Sequence, residues 1–152
     1  MLRQFTATVY ITKDERVLLH KHPKHKKWLP PGGHVETNEL PHEAAIREAL
    51  EETGLDIAIT SQENIELDAS HAKSLPRPYS ILLENIPLHK GVAAHQHIDC
   101  IYLAYLKGSN SSPIEPFQWL SYEETLQIPD EEMFSDTRLI LERILKNSVI
   151  MQ

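Results

Sequence analysis

One cysteine stands in 152 residues, so no internal disulfide framework can staple the fold. Cys100 lies in the apolar run "IDCIYLAYL" and reads as a small core residue, which fits a reducing, cytoplasmic setting. The N-terminal stretch "MLRQFTATVYITKDE" has no apolar core followed by a small-residue cleavage site, so no signal peptide is expected. No run approaches the length of a membrane span, and no membrane partner is expected. A basic excess is missing too: 15 Lys and Arg face 22 Asp and Glu, a net charge of −7. That balance disfavours nonspecific nucleic-acid binding. It permits an anionic substrate, because a bound divalent cation inverts the local field. There is no internal repeat and no linker, and the length suits a single domain over residues 1–152.

What is present alternates between two periods. "FTATVYIT" (5–12) and "RVLLHKH" (16–22) read as strands joined by the turn "KDE". "KHPKHKKWLPPGGHVE" reads as loop. Pro41 suits a first helical position, Glu43 its electropositive first turn, and Gly54 the residue just past the end. These signals predict a helix over 41–53, with Leu40 as an unfavourable cap. Strands follow at 55–60, within 79–88 and, most strongly, at 97–106. "FQWLS" suggests a short strand, 122–128 a short helix, and 135–147 an amphipathic helix opened by Ser135 or Asp136. The mixture predicts an α/β (α+β) domain whose mixed sheet is covered by helices.

The acidic charge is concentrated. Residues 36–56 hold seven acids and one base, a net −6, leaving about −1 for the rest of the chain. Within the predicted helix, Glu48, Glu51 and Glu52 fall at i, i+3 and i+4 on one face, while Ile46, Ala49 and Leu50 face the core. Like charges at that spacing repel, and only Arg47 is placed to answer them, reaching Glu43 and Glu51 at i±4. One reading is a solvated acidic face. The other is a hard divalent cation between carboxylates, with coordination positions left for phosphate oxygens and water. Gly32 and Gly33, just upstream, allow close backbone approach to an anion. Lys21, Lys24, Lys26 and Lys27 form a cationic run, and Trp28 offers a ring for stacking or packing. His95, His97 and Asp99 alternate and so share one strand face, where they could wall a substrate site or hold a metal.

Gly33, then five residues to Glu39, then seven to Arg47-Glu48-Ala49-Leu50-Glu51-Glu52-Thr53-Gly54-Leu55, resembles the complete signature of the Nudix (MutT-like) hydrolases. Seven fixed residues at about 7% each make a chance match on the order of 10⁻⁸ per start position. The resemblance implies a Nudix-type α/β/α sandwich and a pyrophosphohydrolase that cleaves the diphosphate linkage of a nucleoside diphosphate joined to another group. It implies Mg²⁺ or Mn²⁺ as cofactor and a small nucleotide-type substrate. Region 68–74, "DASHAKS", has neither the Pro nor the Tyr that marks two of the family's substrate classes, so a nucleoside triphosphate or modified nucleotide is the default. Carried over by position, Glu48, Glu51 and Glu52 would bind metal, with the Gly33 carbonyl as a further ligand. Glu52 or Glu51 would be base or water-orienting group. Glu39 would hold a metal-bound water or brace the helix, and Arg47 would orient a glutamate. Glu115 lies near where some relatives place an extra Glu. Gly32, Lys27, Trp28, His97, Asp99 and Glu115 are therefore the substrate-side candidates. A non-catalytic nucleotide-binding or regulatory module on the same fold is the alternative, and a homodimer is allowed.

Overall fold

The computed structural model describes residues 1–146. Its spine is a parallel pair, β1 (Arg3–Lys13) beside β7 (His95–Leu106), in register from Arg3↔Gln96 to Ile11↔Ala104. Two different sets of neighbours flank this pair along its length. At one end β4 (Gly32–His34) pairs antiparallel with Thr6–Thr8 of β1, and β6 (Ser80–Ile86) pairs antiparallel with β7. At the other end β2 (Arg16–Lys21) pairs with β1, and β5 (Ile57–Ile59) pairs with β7. The two-residue β3 (Trp28–Leu29) and β8 (Gln118–Ser121) extend the sheet through β2. All the pairs are antiparallel except the spine, so the sheet is mixed, as expected.

The period of two sorts the spine residues. Ala7, Val9 and Ile11 point to one face and pack with Cys100, Tyr102 and Ala104 against α1 (Pro41–Thr53). Tyr10 and Ile101 point to the other face and pack with Ile140, Leu141 and Leu145 of the C-terminal helical segment. That segment runs from α3 (Ser135–Leu141) into a π-wound turn, Glu142–Lys146. The short α2 (Tyr122–Leu126) precedes it, capped by Ser121, whose side chain accepts from the Glu124 N–H. The result is the α/β/α sandwich. Each fully buried Leu or Ile in these layers stabilises by roughly 1.5–3 kcal/mol. Cys100 is 6% exposed, a core residue as its sequence setting suggests.

Several local expectations are corrected. The stretch before α1 is not all loop: β3 and β4 lie within it, too short to show a hydrophobic period. α3 is capped by Phe134, with Ser135 already inside the helix. Leu50 is 52% exposed and outside the core; the buried face of α1 is Ala44, Ala45, Ala49 and Thr53. Asn147, the expected end of the last helix, lies outside the described residues.

Small residues let the elements around β1 pack closely, alanines in α1 and Gly32 and Gly33 in β4. A Cβ on Gly32 would sit 2.7 Å from the Ala7 carbonyl oxygen, a backbone atom that cannot turn aside. Gly32→Ala therefore pushes β4 off β1. The expected cost is roughly 1–3 kcal/mol, the usual range for overpacking, seen as a lower thermal midpoint in calorimetry.

Candidate active site

α1 begins and ends where its signals place it. Leu40 offers no side-chain cap, but the Glu43 carboxylate accepts from the Leu40 N–H at 2.9 Å. At the other end Gly54 adopts φ 76° and its N–H donates to the Leu50 carbonyl at 2.9 Å. Thr53 Oγ1 donates to the Ala49 carbonyl at 2.6 Å and accepts from the Leu55 N–H at 3.1 Å. A helix fixed at both ends fixes the direction of its glutamates.

Arg47 organises the acids. Nε and Nη2 donate to the two oxygens of Glu39 at 2.7 and 2.9 Å, a bidentate fork. Nη1 donates to Glu48 at 3.0 Å and to Glu51 at 3.2 Å, and Nη2 also reaches the His34 carbonyl at 3.0 Å. Helix, preceding loop and β4 are thus joined through one guanidinium. The Arg47 hydrogen bond holds the Glu39 carboxyl below its ordinary range. Glu43, one of the two partners expected for Arg47, is instead occupied at the helix start.

Of the three helix glutamates, the fold brings two together. Glu48 has a side chain 17% exposed and lies against Gly33, where a Cβ would collide with its carboxylate. Glu52 is its neighbour. Burial first, then the hydrogen bond and charge of Glu48, push the Glu52 carboxyl well above the usual carboxylate range, while the Gly32 backbone pulls it down. Glu51 turns toward Arg47 and is 60% exposed at the rim. Among the described residues no three His, Cys, Asp or Glu side chains converge as a closed metal site. The donor set is two carboxyls beside the glycine backbone. Those hard oxygen donors fit Mg²⁺ or Mn²⁺, which tolerate few protein ligands and keep waters or phosphate oxygens as the rest.

A second constellation lies on the opposite sheet face, at the β4–β6 end of the spine. Thr8 Oγ1 is 3.0 and 2.9 Å from the two oxygens of Asp99, which is 4% exposed. Glu84, in β6, is half-buried; burial first, then the hydrogen bond and charge of Asp99, raise its carboxyl far above the ordinary value. His95 Nε2 and His97 Nε2 are 3.2 Å apart, and the His34 ring stands edge-on to His97 at 5.2 Å between centroids. Burial and its histidine neighbours lower the His97 value. His97 and Asp99 are thus on one face, as their spacing indicated. Glu84, Thr8, Thr6 and His34 joined them unforeseen. The alternation Leu82, Glu84, Ile86 carried a signal for Glu84, but no sequence pattern gives the strand register that pairs it with His97.

The other substrate-side candidates lie elsewhere. Lys27 Nζ donates to the Glu131 carbonyl at 2.6 Å and sits over the Phe134 ring, and Lys21 pairs with Glu132 at 2.9 Å. Trp28 packs at the edge of the second core cluster. Both candidates are engaged by the C-terminal half of the chain. Glu115 is exposed in the loop whose Ile114 N–H donates to the Thr53 carbonyl.

Two outcomes are expected. Arg47→Lys keeps the charge but loses the fork, costing about 1–3 kcal/mol in urea unfolding. Glu84 keeps its proton in the folded chain at a pH where the unfolded chain has released it. That contribution is complete below the ordinary value of 4.5 and is lost as pH rises through the raised folded value. The thermal midpoint should therefore fall between about pH 4.5 and about pH 9, and Glu84→Gln, which copies the protonated acid, should make that fall shallower. An unchanged slope would refute the Glu84–Asp99 pairing.

The comparisons with known proteins agree with this architecture. The NUDIX domain model matches residues 2–142. A Lactococcus lactis protein named "Probable DHNTP pyrophosphohydrolase" is 34% identical over 124 residues, which is 80% of this chain and 66% of that protein. The chain thus spans slightly less than two thirds of that relative. The crystal structure of a NUDIX-family hydrolase from Clostridium perfringens superposes with a TM-score of 0.80 at 32% identity, covering 97% of this chain and 99% of that one. The Escherichia coli dihydroneopterin triphosphate pyrophosphohydrolase shares the fold, with a TM-score of 0.60 at 16% identity over 97% and 99% of the two chains. With the signature complete over residues 33–55 and the family model spanning nearly the whole sequence, the chain belongs to the NUDIX family of hydrolases.

Proposed function

We propose that residues 1–152 form a single catalytic domain, a divalent-metal-dependent pyrophosphohydrolase acting on a small nucleoside-triphosphate-type substrate in the cytoplasm. The observation that carries this reading is the Glu48–Glu52 carboxyl pair, held against Gly32–Gly33 and braced by Arg47. The Lactococcus relative's name supports a triphosphate, since DHNTP is dihydroneopterin triphosphate. Among the described residues no helix is long and apolar enough to cross a membrane.

Glu48 and Glu52, with the Gly33 carbonyl, would hold Mg²⁺ or Mn²⁺, and Glu51 would join from the rim. The cation, when bound, supplies charge neutralisation for the phosphates and lowers the pKa of a water. The chain's own residues do the rest. Glu52 or Glu51 accepts a proton from the attacking water as its oxygen bonds to phosphorus. The P–O bond of the bridge breaks, and the departing phosphate oxygen leaves with the bridging electron pair. Arg47 does not touch substrate: it fixes Glu48, and through Glu39 it ties the glycine loop to the helix. Catalysis of this kind depends on position and charge more than on covalent chemistry.

Glu52→Gln keeps the shape of the pair and removes its charge. It should lower kcat at least a hundredfold, measured as pyrophosphate or phosphate release with Mg²⁺ or Mn²⁺, while circular dichroism shows an intact fold. Wild-type turnover in that variant would overturn the assignment.

A further inference from the structure

Two groups of histidines lie outside the glutamate site, and their hydrogen bonds set them apart. An imidazole nitrogen binds a metal only through a free lone pair, and which nitrogen is free follows from what the other one touches. In the loop after β2, His22 Nδ1 lies 3.1 Å from the backbone nitrogen of Lys24 and 3.3 Å from that of His25. It accepts from both N–H groups, so the proton of the neutral ring sits on Nε2 and no nitrogen is left to ligate. At the start of β7 the order is reversed. His95 Nδ1 is 2.9 Å from the Ala93 carbonyl oxygen. A carbonyl only accepts, so Nδ1 carries the proton and Nε2 keeps its lone pair. A backbone carbonyl on the far nitrogen is the contact that orients metal-ligating histidines.

His97 supplies the second nitrogen. Residues two apart on a strand share a face, and His95 Nε2 and His97 Nε2 are 3.2 Å apart. Two nitrogens held at about 2.0–2.1 Å by one tetrahedral ion lie about 3.3 Å from each other. The pair thus already has the separation of two adjacent ligands. Without an ion, His97 Nε2 donates its proton to His95 Nε2. With one, His97 carries that proton on Nδ1, and both rings stay neutral. The His34 ring stands edge-on to His97 at 5.2 Å between centroids and limits its rotation. The nearby acids are engaged elsewhere. Asp99 is 4% exposed with both oxygens on Thr8, and Glu84, opposite His97 in the register, bonds to Asp99. The donor set is therefore neutral nitrogen alone.

We propose that His95 and His97 form a transition-metal site, open on its outer side and separate from the carboxylates of α1. Imidazole nitrogen suits Zn²⁺, Ni²⁺ and Cu²⁺, whereas Mg²⁺ and Mn²⁺ prefer oxygen. Among the described residues no third side chain of a ligating type completes the shell. Water, or an oxygen of a small anion, fills the remaining positions. Affinity follows the general order for such ligands, with Cu²⁺ above both Ni²⁺ and Zn²⁺. The site does not depend on the hydrolase reading, because neither Glu48 nor Glu52 belongs to it.

The test titrates the full chain with Ni²⁺ and with Zn²⁺ by calorimetry, in excess Mg²⁺ to occupy the carboxylates. One equivalent of either ion should bind. His95→Ala and His97→Ala should each weaken it at least about tenfold, because a single imidazole is left. Cu²⁺ on the wild type should show coupling to two imidazole nitrogens in electron paramagnetic resonance. Circular dichroism checks that each variant is folded. Glu52→Gln, and the double variant His22→Ala with His25→Ala, should bind Ni²⁺ as the wild type does. No Ni²⁺ binding in excess Mg²⁺ overturns the proposal without any variant, as does a Cu²⁺ spectrum with fewer than two coupled nitrogens. Unchanged affinity in a folded His95→Ala or His97→Ala overturns it too. Loss of binding in the His22 and His25 double variant places the ion in the other cluster, and loss in Glu52→Gln places it on the helix; either result refutes the assignment. Turnover enters none of these readouts, so failure of the hydrolase reading leaves them untouched.

Discussion

The closeness of α1 to the β1–β4 edge is the constraint on which the rest depends. The helix presents Ala44, Ala45 and Ala49 to the sheet, each fully buried, and β4 answers with Gly33, while Gly32 lets β4 lie close against β1. A larger residue on either side would hold the two apart. The Glu48 carboxyl would then no longer lie against the Gly33 backbone, and Glu52 would regain solvent. Stability and chemistry draw on the same packing here. The apolar area that α1 buries is modest because its residues are small, so position is what the small residues secure. The caps at Leu40 and Gly54 add to that by fixing the rotation of the helix.

Electrostatics act within that geometry. A net −6 over 21 residues would destabilise the region if every acid were charged and solvated alike. The fold divides them. Glu39 is paired with a guanidinium and kept ionised. Glu43 satisfies a helix N–H. Glu51 is left at the solvent edge. Only Glu52, beside Glu48, is pressed toward its neutral form, by burial more than by its neighbour's charge. The acid most costly to keep ionised is the one a cation would benefit most. Arg47 is close enough to position Glu48, yet it donates to Glu39 with two nitrogens and so does not neutralise the pair.

The parts legible in the sequence were those governed by local rules. Pro41, Glu43 and Gly54 bounded α1, and its limits in the structure match, because capping is settled within one turn. The strong strands followed from their period. The signature motif identified the helix and loop because its fixed residues lie within 23 positions. What was not legible depends on distant partners. Leu50 has the right chemistry for a core position, but it lies off the Ala45–Ala49–Thr53 stripe that the helix buries. β3 and β4 exist because β2 and β1 offer them edges, not through their own propensity. Arg47 bonds to Glu39 eight residues back, across the loop, where helix spacing could suggest only Glu43 and Glu51. Glu84 and Asp99 are fifteen residues apart in sequence and meet only through the β6–β7 register.

β4 resolves the division between the two faces. It is three residues long, pairs only with β1, and carries no side chain at two of its positions. Because alternate residues of a strand face opposite ways, Gly32 belongs to the threonine and aspartate side and Gly33 to the glutamate side. His34 continues the strand, with its ring edge-on to His97 and its carbonyl held by Arg47. One short edge strand therefore touches both constellations, and one guanidinium fixes it to the helix. A shift of β4 along β1 by a single residue would exchange the faces of all three. Such a slip would bring the His34 ring to the helix side and break the bond from Arg47 to its carbonyl. Pairing with Thr6–Thr8 and the Arg47 bond thus oppose the same displacement. That shared resistance keeps the glutamate face and the threonine–aspartate face in a fixed relation, which neither α1 nor β7 could impose alone.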